Sequence, residues 1–186
     1  MVMFALKSDH ICLVETWIDP RETNTIEFEV GGRDFDHASI GKGKGVAIFS
    51  KISEDPDSTT NVIEKILDIK YQILVLIDGP IQFILVYLSK NCPMLKVAES
   101  LQNVLRPDLI TILAGDFNFD TSEENELTRF FKMKHYSQLL AEPTHDKGRT
   151  IDHCYAPMAV KDQIQLTLHS PYYTDHDAFC LSLKLE

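Results

Sequence analysis

Several polar residues of this sequence have the same kind of sequence context: each of them follows or precedes a short apolar run. Strand ends lie at the rims of sheets, so strands that pack in one sandwich can bring such residues together in a single cleft. Carboxylates a few ångströms apart repel one another strongly unless a cation neutralises them. Oxygen ligands with one imidazole and no thiolate suit Mg²⁺ or Mn²⁺ rather than a structural zinc ion. The residues concerned are Glu15, Asp116, Asn118, Asp152, Asp175 and His176.

The elements that would position these residues are mostly strands. Short apolar, β-branched runs recur between clusters of Gly, Pro, Asn and Asp, which is typical of β-strands. We predict strands at residues 11–14, 45–51, 62–69, 72–77, 81–88, 109–114, 150–156, 164–168 and 178–183. Helices are predicted at residues 93–105 and 122–134, the first with apolar positions at Leu95, Ala98, Leu101 and Leu105.

The second helix carries signals for both of its ends. Thr121 or Ser122 is predicted as its N-cap, with Glu123 and Glu124 in the first turn and lysines in the last turn. Many strands in hairpin spacing, together with two helices, predict an α/β fold: a two-layer β-sandwich flanked by helices.

Composition limits the class of protein. The 186 residues, 44% hydrophobic and 25% charged, indicate one globular domain spanning residues 1–186 and exclude disordered, collagen-like and low-complexity chains. Eighteen Lys and Arg stand against 28 Asp and Glu, which gives a formal net charge of −10. The surface as a whole therefore repels phosphate backbones, and indiscriminate coating of nucleic acid is excluded.

The cysteines and the apolar runs indicate a compartment. Cys12, Cys92, Cys154 and Cys180 form no CxxC pair, and buried free thiols in a reducing environment are the simplest interpretation. The longest apolar stretches, residues 73–77 and 83–88, are far shorter than the roughly 20 residues of a membrane helix. The N-terminus also lacks the pattern of a secretory signal. We therefore expect an intracellular protein without a membrane segment.

Six short motifs follow one another in an informative order: Glu15-Thr16, Gly45-Val46-Ala47-Ile48, Val86-Tyr87, Gly115-Asp116-Phe117-Asn118, Ile151-Asp152-His153 and Asp175-His176. In order and approximate spacing this series resembles the endonuclease/exonuclease/phosphatase superfamily. Within it, the series is most similar to the endonuclease domains of mobile elements such as non-LTR retrotransposons and Helitrons. The resemblance runs from about residue 11 to the C-terminus. It implies a four-layered fold, with the β-sandwich between helices, and metal-dependent hydrolysis of phosphodiesters.

The resemblance implies a metal site and a histidine pair. Glu15 corresponds to a metal-binding glutamate at the end of a strand, and Asp175 to an acidic residue near the metal. Asp152 corresponds to the aspartate that holds the catalytic histidine, which here is His176. This agrees with general chemistry, because a histidine oriented by a carboxylate can act as an acid or base or contact a phosphate.

The resemblance also implies groups that contact the substrate. Asp116 corresponds to an aspartate that aligns or activates the attacking water, and Asn118 to an amide that donates a hydrogen bond to a phosphate oxygen. Tyr87 corresponds to a phosphate-contacting tyrosine or histidine. Phosphodiester hydrolysis needs a nucleophilic water, neutralised phosphate oxygens and a stabilised leaving alkoxide. Which of these groups is the base remains open at this point.

The chain departs from the family pattern at its start. Relatives begin with an additional strand that ends in an Asn, often followed by Gly, and that supplies a second metal contact. This sequence starts at Met1-Val2-Met3-Phe4, which corresponds to the helix after that strand. We therefore expect an N-terminally truncated form of the fold, in which another carboxylate such as Asp175 or Asp120 completes the metal site.

Other polar residues have simpler interpretations. We expect His153 to be a packing or rim residue, and His145 and Arg149 to be loop and rim contacts. Lys42 and Lys44 lie in a glycine-rich loop, for which solvation is the default and a phosphate contact the alternative.

Three functions are compatible with these observations. The first is a monomeric, Mg²⁺- or Mn²⁺-dependent DNA endonuclease from a mobile element, fused to or working with a helicase or reverse transcriptase and able to reach the nucleus. The second is a phosphatase or phosphodiesterase that acts on a small or lipid phosphoester, since one fold serves many substrates. The third is an inactive, truncated remnant that serves as a binding module.

Overall fold

The computed structural model describes residues 8–17, 33–41, 44–51, 61–170 and 174–184. These residues form eleven strands, two α-helices and one 3₁₀ turn at Lys161–Gln163. The elements are β1 (His10–Val14), β2 (Arg33–Ala38), β3 (Val46–Lys51), β4 (Asn61–Leu67), β5 (Tyr71–Asp78), β6 (Ile81–Leu88), α1 (Met94–Val104), β7 (Ile110–Asp116), α2 (Glu126–Met133), β8 (Tyr136–Gln138), β9 (Asp152–Pro157), β10 (Ile164–His169) and β11 (Ala178–Leu183).

A six-stranded sheet in the order β4-β5-β6-β7-β9-β8 forms the centre of the fold. Its strands pair antiparallel except for β6 and β7, which run parallel. A parallel pair requires a crossover connection, and α1 lies in the chain between these two strands. Residues 71–76 of β5 and 84–88 of β6 are buried without interruption, which is typical of strands covered on both faces.

Apolar clusters on both faces of the central sheet define the layers. On one face α1 and α2 contribute Leu101, Leu127 and Phe131 to a core with β5, β6, β7 and β9. On the other face a second sheet, in the order β1-β3-β2, packs Val46 and Ile48 against β5 and β6. The hairpin of β10 and β11 packs beside it, against β7 and β9. The described residues thus form three of the four expected layers.

The nine predicted strands are all present, with ends that shift by a few residues. Gly79 lies in the hairpin turn between β5 and β6, with φ of +54°. Two strands are not predicted, β2 and β8. β2 has the sequence RDFDHA, which alternates but is rich in charged residues, and β8 has only three residues. Both form by pairing with a neighbouring strand rather than from their own apolar content.

Helix α1 is confirmed, with each end shifted by one residue. Its buried residues are Val97, Ala98, Leu101 and Val104. Of the apolar positions named from the sequence, Ala98 and Leu101 are therefore buried, whereas Leu95 is 60% exposed. The helix buries only the stripe that meets the sheet.

The predicted start of α2 is wrong by about one turn. The N-cap is Asn125, whose side chain accepts hydrogen bonds from the backbone N–H groups of Leu127 and Thr128. Thr128 accepts in return from the Asn125 backbone, which completes a capping box. Ser122 instead donates to Asp120 in a preceding turn. Glu123 and Glu124 therefore precede the helix rather than occupying its first turn.

All four cysteines are free, but they are not all buried. Cys92 and Cys154 are buried, and burial raises the pKa of each thiol to about 12, so both remain protonated. Cys180 is partly buried, and Cys12 is exposed because its strand, β1, forms an edge of the smaller sheet. The expectation of a buried thiol at Cys12 is therefore wrong. Within the described ranges, no helix is long and apolar enough to cross a membrane.

Gly115 is a sensitive point of the central sheet. Its φ is +144°, and a Cβ atom there would meet the backbone carbonyl of Val86 on β6. We expect Gly115→Ala to lower the free energy of unfolding by about 2–5 kcal/mol, because steric overlap and backbone strain add. Gly79→Ala is the matched control, since Gly79 also has positive φ but has no atom within 4 Å of a Cβ. Urea unfolding should show a loss of only about 1–2 kcal/mol for the control. Equal losses would contradict the steric explanation.

Candidate active site

Three neighbouring strands place the first site residues side by side. Tyr87 near the end of β6 is in register with Asp116 at the end of the parallel strand β7. Asp116 is in register with Asp152, the first residue of the antiparallel strand β9. All three residues are buried. The strand-end rule of the sequence analysis is therefore confirmed for this rim of the central sheet.

Glu15 reaches the same rim from the other sheet. It follows β1, and its carboxylate accepts a hydrogen bond of 2.9 Å from the Tyr87 hydroxyl. Burial first, and then the neighbouring Glu15 carboxylate, raise the pKa of the Tyr87 phenol above its ordinary value, so that it stays a donor. Glu15 has φ of +50°, which is rare for a residue with a long side chain. The hydrogen bond holds Glu15 across the gap between the two sheets.

Asp116 and Asn118 form a closed loop of hydrogen bonds. The backbone N–H of Asn118 donates to one carboxylate oxygen of Asp116 at 2.8 Å, and its side-chain amide donates to the other at 2.9 Å. The same amide nitrogen also donates to the backbone carbonyl of Leu88. Both amide hydrogens are therefore engaged within the protein. A phosphate contact from Asn118 requires one of these bonds to be exchanged.

Asp116 is the carboxylate most perturbed by its surroundings. Burial raises its pKa to about 7, and repulsion from Asp152 and Glu15 acts in the same direction. The Asn118 backbone and the nearby His176 oppose the shift. Glu15, Asp152 and His176 thus all act electrostatically on Asp116, which means that the four groups converge as the sequence predicts.

Asp152 holds His176 by two contacts. Nδ1 of His176 lies 2.9 Å and 3.1 Å from the two oxygens of the Asp152 carboxylate. This hydrogen bond is the main reason that the pKa of His176 rises to about 9. The backbone of Asp152 is fixed in turn, because its N–H donates to the Thr144 hydroxyl. With this pKa the imidazole of His176 is cationic at neutral pH, and Nε2 is its remaining ring nitrogen.

The donor set at this rim fits a hard divalent cation. Three carboxylates, from Glu15, Asp116 and Asp152, lie within one electrostatic cluster, and Asp116 and Asp152 are only 2% and 6% exposed. The repulsion that raises the pKa of Asp116 is the physical sign that positive charge is lacking there. Carboxylate oxygens are the ligands that Mg²⁺ and Mn²⁺ prefer. Glu15, the metal ligand that the resemblance implies, is one of these three carboxylates.

Asp175 has a different neighbour from the one expected. It is largely exposed, and its carboxylate lies 3.4 Å from Nε2 of His145. His145, Asp175 and His176 form a second cluster, in which one ligand atom of each lies within 4.8 Å of the others. Sequence analysis treated His145 as a loop contact, since a lone histidine carries no signal of its partners. Arg149, expected in the same role, lies 3.4 Å from Glu123.

Two further residues have structural roles. His153 is fully buried, stacks on Phe117 at 4.5 Å and bonds to the Phe119 carbonyl through Nε2. Burial lowers its pKa to about 4, so it is neutral, and the packing interpretation is confirmed. Asp120, the alternative metal ligand, accepts hydrogen bonds from Ser122 and from the backbone of Thr150, which fixes the turn before α2.

A pocket of about 500 Å³ adjoins the carboxylate cluster. Glu15, Tyr87 and Asn118 line one part of it, and the lysines Lys44, Lys70 and Lys90 line another. Lys70 and Lys90 follow strands β4 and β6, where the sequence analysis assigned them no role. Lys44, from the glycine-rich loop, thus lies next to the site, whereas Lys42 lies outside the described residues. The pocket is thus locally basic on a protein that is acidic overall.

The fold is similar to that of solved nucleases and phosphatases. A 3′ phosphatase, NExo, from Neisseria, solved with a product DNA hairpin, has a TM-score of 0.72 at 13% identity over 99% of this chain and 93% of its own. An AP endonuclease from Archaeoglobus fulgidus has a TM-score of 0.71 at 12% identity, over 100% of this chain and 93% of its own. The endonuclease domain of TRAS1, a telomere-specific non-LTR retrotransposon, has a TM-score of 0.68 at 16% identity, over 99% of this chain and 90% of its own.

Comparison of the amino-acid sequence with known families and proteins finds no relative. No protein-family profile matches the sequence, and a comparison with curated protein sequences gives no match either. At identities of 12–16% the structural similarity establishes the fold. The chain therefore has the fold of the endonuclease/exonuclease/phosphatase superfamily, as its motifs predict.

Proposed function

We propose that this protein is a Mg²⁺- or Mn²⁺-dependent phosphodiester hydrolase that cuts DNA, related to the endonucleases of mobile elements. The observation that carries the proposal is the hydrogen-bonded pair of Asp152 and His176 beside the buried Asp116, within the electrostatic reach of Glu15. The fold shared with DNA-acting nucleases supports the reaction class. The motif order and the similarity to a retrotransposon endonuclease domain support the mobile-element origin.

Asp116 is suited to align and deprotonate the attacking water. A general base works best when its pKa is close to the working pH, and burial brings the pKa of Asp116 to about 7. Its hydrogen bonds with Asn118 fix the orientation of the carboxylate before substrate arrives. A divalent cation held by Glu15 would neutralise the phosphate oxygens and stabilise the leaving alkoxide.

His176 supplies a positive charge and a proton at the same rim. Asp152 engages Nδ1, so Nε2 is the atom that contacts a phosphate oxygen or donates a proton. With a pKa of about 9, His176 remains cationic at neutral pH. The Tyr87 hydroxyl, kept protonated, donates its single hydrogen to Glu15 and so positions that carboxylate at the rim.

The lysine-lined pocket favours a nucleic acid over a small phosphoester. It continues from Glu15, Tyr87 and Asn118 toward three lysines, which leaves room for phosphates beyond the one that reacts. Lysines that neutralise backbone phosphates give a polymer affinity that a single phosphoester cannot gain. Local positive charge of this kind can offset the net charge of −10.

The first prediction concerns the catalytic groups. Asp116→Ala and His176→Ala should each reduce Mg²⁺-dependent nicking of supercoiled plasmid by about 10²- to 10⁴-fold, since each removes an acid–base or phosphate-contacting group. His135→Asn is the control, because His135 is exposed in the turn after α2 and has positive φ, which Asn tolerates. Nicking equal in all variants would reveal a contaminating nuclease. A folded wild-type protein that does not nick would overturn the proposal and leave the binding-module alternative.

A second prediction concerns the protonation of His176. Asp152→Asn should lower the pKa of His176 from about 9 toward 6.5, because the hydrogen bond to the carboxylate is the largest cause of the shift. NMR titration of the metal-free protein measures this directly. Activity that needs the cationic form of His176 should then decline above about pH 9 in the wild type and at lower pH in the variant. Asp146→Asn is the charge-matched control. An unchanged pKa in Asp152→Asn would contradict the assignment.

The third prediction separates DNA from small substrates. Replacing Lys44, Lys70 and Lys90 by Ala should weaken DNA binding and reduce the slope of log K against log salt by up to about 0.9 per lysine for duplex DNA. Hydrolysis of bis(p-nitrophenyl) phosphate should stay within about twofold, since its single phosphate needs only the carboxylate rim. Lys132→Ala is the control, as Lys132 lies on α2 and pairs with Glu124. Equal losses on both substrates would favour the small-phosphoester alternative.

A further inference from the structure

His145, Asp175 and His176 bring two imidazoles and one carboxylate together next to the nuclease rim. One ligand atom of each side chain lies within 4.8 Å of those of the other two. The two rings are 5.0 Å apart, and Nε2 of His145 lies 3.4 Å from the Asp175 carboxylate. In a four-coordinate zinc site with bonds of about 2.0–2.2 Å, ligand atoms stand about 3.3–3.6 Å apart. Shifts of about an ångström would therefore close the cluster around an ion.

Each imidazole also contacts a further carboxylate through its Nδ1 atom. Nδ1 of His176 bonds to Asp152 at 2.9 Å, and Nδ1 of His145 lies 2.7 Å from the Asp146 carboxylate. The backbone nitrogen of Lys147 also lies near Nδ1 of His145, at 3.2 Å, which is farther than the Asp146 carboxylate. A proton on Nδ1 makes that contact attractive, so Nε2 is the nitrogen that an ion would bind, with release of the Nε2 proton in the case of His176. Metal-binding histidines typically donate their second nitrogen to a carboxylate in this way.

The backbone holds the two loops together. His145 and His176 form an isolated antiparallel β-bridge. On either side of it, the N–H of Asp146 donates to the carbonyl of Asp175 at 2.9 Å, and the N–H of Asp177 donates to the carbonyl of Thr144 at 2.6 Å. The ligand side chains are therefore carried by one paired segment. Asp175 is the most exposed of the three, at 59%, and is the side chain with most room to adjust.

We propose that His145, Asp175 and His176 bind a borderline-soft divalent ion, of which Zn²⁺ is the probe, at a site separate from the hard-metal rim. Two imidazole nitrogens and one carboxylate oxygen are a zinc-type donor set, whereas Mg²⁺ prefers oxygen ligands. The carboxylates of Asp146 and Asp152 add negative charge around the site. Three protein ligands leave a fourth position for water.

The consequence of the site is inhibition, and this part of the inference rests on the proposed function. Nε2 of His176 is the atom that contacts the phosphate or donates a proton during hydrolysis. An ion coordinated by that nitrogen removes its proton and its contact at the same time. The site would therefore make the hydrolase sensitive to zinc while Mg²⁺ remains bound at the rim.

Binding is tested by titrating the metal-free protein with Zn²⁺ in a calorimeter. We expect one ion per chain for the wild type and a loss of affinity of more than about 100-fold for His145→Asn, because loss of an outer-sphere partner alone costs about 10- to 100-fold. Asp146→Asn should show that smaller loss, and Asp175→Asn serves as the second ligand variant because it changes an exposed side chain. His135→Asn, the matched control, should bind as the wild type does. Far-UV circular dichroism checks that every variant is folded.

The outcomes of this titration decide the proposal without any reference to activity. No binding to the wild type, or unchanged binding to both His145→Asn and Asp175→Asn, overturns it. A separate assay of plasmid nicking in Mg²⁺ tests the inhibition, with each variant compared with its own zinc-free rate. We expect zinc to inhibit the wild type and His135→Asn, and to inhibit His145→Asn at least about tenfold less strongly. Zinc that binds without inhibiting would overturn the coupling to His176, and a protein that never nicks would overturn the proposed function alone.

Discussion

Two carboxylates, those of Asp116 and Asp152, stand in register on neighbouring strands at a buried rim of the central sheet. Like charges at such short range in a poorly solvated place cannot both remain ionised without compensation. The protein compensates Asp152 with the cationic His176, and it leaves Asp116 with a pKa of about 7. Positive charge is therefore short at this rim, and a cation close to Asp116 would relieve the repulsion.

The second sheet completes this arrangement at some expense of local stability. Glu15 comes from β1 and meets the rim through Tyr87, with a backbone φ of +50°. Asn118 also has positive φ, although Asn adopts this conformation more easily. Residues held in such conformations persist only where the surrounding structure fixes them, and they concentrate at functional sites. Here the fixing contacts are the Tyr87 hydroxyl on one side and the Asp116 carboxylate on the other.

His176 belongs to two clusters of side chains. Through Nδ1 it bonds to Asp152 at the rim of the central sheet. It also lies beside His145 and Asp175, in a cluster of two imidazoles and one carboxylate. Hard ions and borderline-soft ions prefer different donor sets, so the carboxylate rim and this cluster suit different kinds of ion.

The sequence by itself determined the elements and the main site residues. Apolar runs broken by turn residues indicated nine strands and both helices, and strand-end polar residues together with motif order indicated Glu15, Asp116, Asp152 and His176. These signals are local, because a strand end or a turn depends on a few adjacent residues. The weakly apolar strands β2 and β8 were not predicted, since each forms by pairing with the next strand along the chain rather than from its own apolar content.

Only the tertiary structure decided which groups meet across the chain. His145 is 31 positions from His176, and the lysines of the pocket come from three separate loops, so no spacing rule joins them. The start of α2 also depends on tertiary contacts. Asp120 accepts hydrogen bonds from the Ser122 hydroxyl and from the backbone N–H of Thr150, which holds residues 120–122 in a turn before the helix. Long-range pairing sets these distances, and distances set both the pKa values and the ligand clusters from which the function is inferred.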